Sequence, residues 1–221
     1  MGNAALLSVL ALVPLVVLML TSFVKVSVVL SLVRNAIGAP DAPSGLVIMG
    51  ISLVLTFFVM APVAIEMAHA AVQSAPAPAP APASDDLGAV VKELAPQYTE
   101  QIDAASRAVV PLVAFLAKHA GTRDKATFVE LAARLGHHVH GGELWVLAPA
   151  FLTTELREAF AIAVLIFLPF LAIDLIVGLG LAALGLQATS PQAVALPLKL
   201  LLFVAVDGWR LLVDALLRGY A

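Results

Sequence analysis

Four long apolar runs alternate with polar or proline-rich stretches along the chain. The first run covers 4–20 and the second covers 46–65, and both are uncharged. The third covers 159–173, and the fourth, 175–198, is divided by a polar turn at 187–191. Twenty helical residues are enough to cross a hydrocarbon core of about 30 Å. The pattern predicts an all-α membrane-complex protein with about four apolar helices.

Prolines and polar stretches predict how these helices are arranged. Pro14 lies inside the first run, Pro62 lies near the end of the second, and Pro169 is expected to break the third. Each proline removes a helical hydrogen bond and crowds the preceding turn, so we expect kinked hairpins. We divide the chain into an apolar hairpin (1–68), an Ala/Pro-rich linker (69–84), a small soluble helical segment (85–156) and a charged apolar hairpin (157–221).

The soluble segment shows helical spacing of its apolar residues. The third of its three predicted helices covers Thr127–Leu135, with Thr127 as the N-cap and Glu130 three residues later, as in a capping box. Gly136 is expected to end this helix. The following loop, 137–143, contains three histidines and Glu143. We interpret it as a solvated or interface loop and predict no metal site.

Composition narrows the class of protein. The chain is 62% hydrophobic and 12% charged, with a mean hydropathy of +1.03, whereas soluble domains are about a quarter charged. It contains no cysteine, which excludes disulfides and thiolate metal sites. The net charge of −3 without a basic block gives no basis for nucleic-acid binding. No phosphate-binding or catalytic motif is present, so we expect neither an enzyme nor a cofactor.

Charge distribution predicts the orientation of the chain. No Lys or Arg precedes Lys25, which favours a retained first helix over a signal peptide. The first loop carries Lys25 and Arg34 against Asp41, while 66–158 holds seven basic and eleven acidic residues. By the positive-inside rule, cytoplasmic loops are enriched in Lys and Arg. We therefore expect the first loop on the cytoplasmic side of the membrane and 85–156 on the outer side. We interpret Lys25 and Arg34 as juxtamembrane anchors; alternatively, one of them faces a neighbouring subunit.

Two charges interrupt the C-terminal apolar region. Asp174 lies thirteen residues before the polar turn and Lys199 eight residues after it, so both are within roughly 20 Å of the turn along a helix. Both therefore lie at similar depth inside a membrane-like layer, where an unpaired charge is costly. They are expected to pair, either within one chain or with the next.

The end of the chain carries alternating charges at spacings of three, four and four residues. They are Asp207, Arg210, Asp214 and Arg218. Such intervals place them on one face of a helix. This face is either a surface ladder of ion pairs or a contact with another subunit.

Four stretches resemble one known family. They are TSFVKVSVVLSLVRNAIGAP and LVLTFFVMAPV near the start, and PFLAIDLIVGLGLAALG and SPQAVALPLKLLLFVAVDGWRLLVDALLRGY near the end. Over Thr21–Val63 and Leu168–Tyr220 the chain is similar to the R-type subunit of the type III secretion export apparatus, called FliP in flagella. An uncleaved N-terminus favours the injectisome branch over the flagellar one.

The resemblance implies a core subunit of an inner-membrane, multi-pass export gate. Copies of the R-type subunit form a ring with S-type and T-type subunits, the V-type export component surrounds it, and unfolded secreted proteins pass through towards the inner rod or needle. It also implies that the apolar helices are largely raised out of the bilayer into the assembly.

The resemblance assigns two sites. Asp174 and Lys199 match positions of an inter-subunit salt bridge. The turn matches a pore-lining gasket that is often rich in methionine, although none occurs here; its residues are Leu184, Gly185, Leu186, Gln187, Ala188 and Thr189. The alternatives are a self-contained small-solute channel that uses the Asp174/Lys199 pair and a passive scaffold.

Overall fold

The structure, a computed structural model, describes residues 16–39, 43–72, 99–186 and 188–220. All regular secondary structure in these ranges is helical. Most of the first apolar run, the Ala/Pro repeat, the first predicted helix of the soluble segment and Gln187 lie outside the described residues. The helices are α1 (Phe23–Ile37), α2 (Gly45–Val72), α3 (Thr99–His119), α4 (Thr122–Arg134), α5 (Leu144–Ala183), α6 (Pro191–Ala205) and α7 (Gly208–Arg218).

Two of these helices are long and apolar enough to cross a membrane. They are α2, with 28 residues, and α5, with 40 residues. The apolar helix α6 has 15 residues, or about 22 Å, which is less than a hydrocarbon core. The described part of the chain thus contains two candidate spans and one shorter apolar helix, and the prediction of about four apolar helices is not confirmed there.

Helix α5 differs from the sequence prediction because it continues through Pro169. Proline removes one hydrogen bond, yet Phe170, the next residue, is buried in the core. The helix is continuous at this point, so the predicted break at Pro169 is wrong. We attribute the continuity to this packing, which offsets the lost hydrogen bond. The boundary drawn between residues 156 and 157 also falls inside α5 and is not a break in the secondary structure.

The chain divides into two compact units. Unit 1 takes in the described parts of Met1–Ser22 and Phe57–Glu155, and unit 2 takes in those of Phe23–Thr56 and Leu156–Ala221. In unit 1, α3, α4 and the start of α5 share a core, in which the rings of Phe115 and Phe151 lie 5.8 Å apart.

Helix α4 begins five residues before the predicted N-cap, so the capping prediction for Thr127 is wrong. Thr127 lies within the helix and its hydroxyl donates to the carbonyl of Arg123. The N-cap is Gly121, whose N–H donates to Oγ1 of Thr154 at 2.8 Å. Thr154 in turn donates to Asp124 at 2.6 Å. A threonine from α5 thus takes the place of a local side-chain cap.

The end of α4 agrees with the prediction. Gly136 has a φ of +86°, a conformation that glycine adopts without strain. Its N–H donates to the carbonyl of Ala133, and the N–H of His137 donates to that of Ala132. This pair of bonds is the Schellman motif.

Unit 2 contains a continuous apolar core that positions the candidate site. Helix α1 contributes one face of it, with Val26, Val29, Leu30 and Val33 all buried. The core is completed by Ala36, Ile37, Ile48, Ala159, Phe170, Phe203, Leu212 and Leu216. All the helices that carry the predicted charged residues therefore contribute side chains to this core.

Candidate functional site

A buried lysine of α6 joins three elements of unit 2. Lys199 is 6% exposed. Its Nζ lies 2.6 Å from Oδ2 of Asp174 on α5 and 3.1 Å from the carbonyl oxygen of Ala36 in α1. The predicted pairing of Lys199 with Asp174 therefore occurs within one chain.

The Ala36 carbonyl is a ligand that sequence reasoning missed. It belongs to the last turn of α1, where carbonyls have no partner inside the helix and the helix dipole is negative. The chain leaves α1 at Gly38, whose φ is +86°. Lys199 thus neutralises Asp174 and caps α1 at the same time. The Asn-Ala-Ile-Gly sequence marks the helix end, but nothing in it indicates which side chain would reach that end.

The two members of the pair differ in exposure. The Lys199 side chain is 7% exposed and that of Asp174 is 36% exposed. One side of the carboxylate is therefore open to a further donor. The inter-subunit bridge that the resemblance implies stays a prediction.

A second buried lysine lies near the start of α1. Lys25 is 1% exposed, and its Nζ lies 2.7 Å from Oε2 of Glu158 on α5. The same atom lies 4.1 Å from the centre of the Tyr220 ring, a cation–π distance. A juxtamembrane anchor would keep its ammonium exposed, so this burial corrects the expectation for Lys25. Neither Glu158 nor Tyr220 was singled out from the sequence.

Arg34, the other predicted anchor, is half-buried in the last turn of α1. Its Nε atom is buried without a hydrogen-bond partner among the described residues. Its role as an anchor stays a prediction.

The turn between α5 and α6 is tight and exposed. α5 ends in a Schellman motif, with the N–H of Gly185 donating to Ala182 and that of Leu186 donating to Leu181. Gly185 has a φ of +70°. Leu184 is 74% exposed and Leu186 is 48% exposed, and Ala188 and Thr189 are also exposed. The described part of the predicted gasket thus presents two leucines at its surface.

The last predicted charged face is shorter than expected. Asp207 is the N-cap of α7 and has a left-handed backbone, with φ 52° and ψ 52°, so it does not share the helix face with the later charges. Glycine at position 208 lets the Phe203 ring pack directly against the backbone beside this break, because a Cβ there would overlap the ring. On α7 itself, Arg218 and Asp214 pair at 2.7 Å. Arg210 lines a shallow groove beside them.

The histidine loop is organised around Glu143. This buried carboxylate accepts the backbone N–H groups of His140 and Gly141, each at 2.8 Å. Burial alone would raise the pKa of Glu143, but these N–H groups and the nearby His140 hold the pKa below its ordinary value. Nowhere in the described residues do three His, Asp or Glu side chains converge as a metal site would require.

Comparisons with known proteins extend over nearly the whole chain. Residues 6–216 of this chain match the sequence profile of a protein family described as "FliP family". The hypersensitivity response secretion protein HrcR of Ralstonia nicotianae is 39% identical, over 95% of this chain and 92% of its own length. The flagellar biosynthetic protein FliP of Pectobacterium carotovorum is also 39% identical, over 97% and 76%. The Yop proteins translocation protein R of Yersinia pestis is 35% identical, over 97% and 93%.

The names of these relatives describe secretion, translocation and flagellar biosynthesis proteins, not enzymes. The matched region contains α1, α2, α5 and α6 and most of α7, since it ends at residue 216. It therefore includes the residues of both lysine sites except Tyr220. On this agreement, the chain belongs to the FliP family.

Proposed function

We propose that the chain is a core subunit of the inner-membrane export gate of a type III protein secretion system, forming the pore for unfolded substrate proteins with copies of itself and partner subunits. Membership of the FliP family supports the assignment to a type III secretion system. The same family includes relatives named for hypersensitivity response secretion, Yop translocation and flagellar biosynthesis.

The observation that carries this proposal is the uncovered apolar surface of the two longest helices. Only 17% of the most apolar window of each of α2 and α5 is buried within the chain. Large side chains such as Phe57, Leu165 and Ile176 are each more than two-thirds exposed. Apolar surface of this extent requires lipid or neighbouring subunits to cover it. A multi-pass subunit in a ring of homologous and partner subunits has both.

The charged groups supply the polar side of these proposed contacts. The open side of the Asp174 carboxylate is placed to accept a donor from a neighbouring copy, in addition to Lys199. The exposed charges of α7, Arg210, Asp214 and Arg218, form a second candidate contact with an S-type or T-type subunit. The V-type component and the inner rod or needle complete the proposed assembly.

The turn between α5 and α6 is the proposed gasket. In this chain the seal is formed by Leu184 and Leu186 rather than by methionine. Leucine is less flexible than methionine, so the closed turn should be stiffer than a methionine-rich one. The helices between the two apolar regions, α3 and α4, are assigned to the outer side of the membrane.

The proposal is tested by deleting the natural gene and measuring secretion with and without a plasmid that supplies the chain. Cells complemented with the wild-type chain should export substrates and show the chain in a high-molecular-weight inner-membrane complex on native gels. Replacing Leu184 and Leu186 with serine should leave assembly intact but let small ions leak. The matched control is Leu135→Ser, since Leu135 is 72% exposed in unit 1. Unchanged secretion in cells without the chain would refute the proposal.

The same preparation separates the channel alternative. A self-contained small-solute channel would conduct solutes when the purified chain alone is placed in vesicles. An export-gate subunit is expected to remain closed to solutes until its partner subunits are added.

A further inference from the structure

We propose that Lys25, Glu158 and Tyr220 form a cation box that docks the end of α7 onto the start of α1. The box holds the charged face of α7 in the orientation that the proposed subunit contact needs, a step that rests on the proposed function. The docking itself is independent of that function.

Glu158 and Tyr220 approach the Lys25 ammonium as two chemically unlike groups. Glu158 approaches at 2.7 Å, and its own side chain is 46% exposed. The Tyr220 ring lies 4.1 Å from Nζ and covers the ammonium with the negative face of its π system. Burial of an ammonium is costly unless it is paired, so the ring and the carboxylate both help to stabilise Lys25, which is 1% exposed.

Gly219 makes room for the box. A Cβ at this position would lie 3.0 Å from Nζ of Lys25 and 3.7 Å from Oε2 of Glu158. The first distance is tighter than an ordinary van der Waals contact, so a side chain there would push on the ammonium. Tyr220 reaches its place through a turn in which its N–H donates to the carbonyl of Leu217 at 3.0 Å.

The last turn of helix α7 needs a stabilising contact of this kind. It has eleven residues, and isolated helices shorter than about 12–15 residues are marginal in water. Leu212 and Leu216 bury its inner face in the core of unit 2. The box lies beyond Leu216, where the last turn of the helix would otherwise fray.

Thiol labelling of a buried position on α7 tests the box directly. The chain has no cysteine, so Leu216→Cys introduces a single thiol at a site that is fully buried in the docked helix. In the purified full chain in detergent, we compare its reaction rate with a maleimide in Tyr220→Phe and Tyr220→Leu variants. Phenylalanine keeps the π face, while leucine keeps only apolar bulk.

We expect Tyr220→Leu to label roughly fivefold to thirtyfold faster than Tyr220→Phe, the range given by a desolvated cation–π contact. With Lys25→Met present, the same comparison should differ by less than about twofold, because no cation remains. Equal rates for the two Tyr220 variants, with Lys25 intact, would overturn the proposal even if Lys25→Met does not fold. So would an undiminished difference without Lys25.

Secretion by the same two variants tests the positioning step separately. Tyr220→Leu should reduce secretion while Tyr220→Phe preserves it. Faster labelling with equal secretion would overturn the positioning step and leave the export-gate proposal standing. Failure of the proposed function itself would appear as unchanged secretion in cells lacking the chain.

Discussion

Exchanging the charges of Asp174 and Lys199 distinguishes a simple ion pair from the three-part junction in the structure. In an isolated pair, Asp174→Lys together with Lys199→Asp would restore the attraction that each single change destroys. Here the Lys199 ammonium also donates to the Ala36 carbonyl at 3.1 Å. A carboxylate at position 199 cannot donate, and it would face the negative end of α1.

The cost of the exchange follows from these two losses. A hydrogen bond to a charged group contributes about 1.5–3 kcal/mol. The interaction with the helix end, worth about 0.3–1 kcal/mol as an attraction, becomes a repulsion of similar size. The doubly exchanged chain is therefore expected to be about 2–5 kcal/mol less stable than the wild type. Each single exchange should cost more, because it places like charges together and buries one of them.

Thermal unfolding in detergent and the amount of assembled complex on native gels measure this effect. The control is the same exchange at Glu130 and Arg134 on α4, which pair at a similar 2.7 Å but are 66% and 72% exposed. That exchange should change stability by no more than about 1 kcal/mol, which covers both the exposed pair and its helix end. Full recovery of wild-type stability in the Asp174/Lys199 double exchange would refute a sign-specific role for the Ala36 carbonyl.

Three further changes test other contacts by thermal unfolding of the full chain. Thr154→Val should cost about 1–3 kcal/mol by leaving buried polar groups unpaired, whereas Thr153→Val, at an exposed neighbour, should be nearly neutral; equal effects would contradict the capping role of Thr154. Gly208→Ala should cost about 1–3 kcal/mol through overpacking against Phe203, and an unchanged midpoint would show that the ring moves aside freely. Because the folded pKa of Glu143 is lowered from 4.5, its carboxylate stabilises the fold above that pH and loses this contribution as the pH falls through the folded pKa. Glu143→Gln should therefore weaken the fold at pH 7 and flatten its acid dependence, and a variant with the wild-type acid profile would contradict this assignment.

Hydrophobic patterning predicted the elements better than their ends. The apolar runs predicted α2 and both arms around the polar turn, because a helix pairs its backbone groups within its own segment and a continuous apolar run is then enough to indicate it. Pro169 misled the prediction, since the packing of Phe170 that outweighs a missing hydrogen bond involves residues distant in sequence. Thr127 did so too, because the actual cap comes from Thr154, about thirty residues away.

The candidate site shows the same division between local and distant information. Depth counted from the turn was sufficient to pair Asp174 with Lys199, because both positions belong to one hairpin. It could not identify the carbonyl of Ala36, since a backbone acceptor has no signature in composition or spacing. Spacing could not indicate the contact of Lys25 with Tyr220 either, because these two residues lie near opposite ends of the chain.

The two lysine sites share an asymmetry that bears on how such a subunit assembles. In both, the lysine is nearly inaccessible while the carboxylate, on α5, is 36% or 46% exposed. Each ammonium contacts α5 and a second element, the end of α1 for Lys199 and the residue after α7 for Lys25. A nonspecific apolar contact would accept many registers of these helices, but a buried cation accepts only the arrangement that pairs it. The lysines therefore specify the packing inside unit 2, and the open sides of Glu158 and Asp174 leave α5 with acceptors directed away from that packing. A neighbouring subunit that brings a donor to α5 would then add to both pairs without breaking either, so that folding of the chain and its assembly need not compete for the same charges.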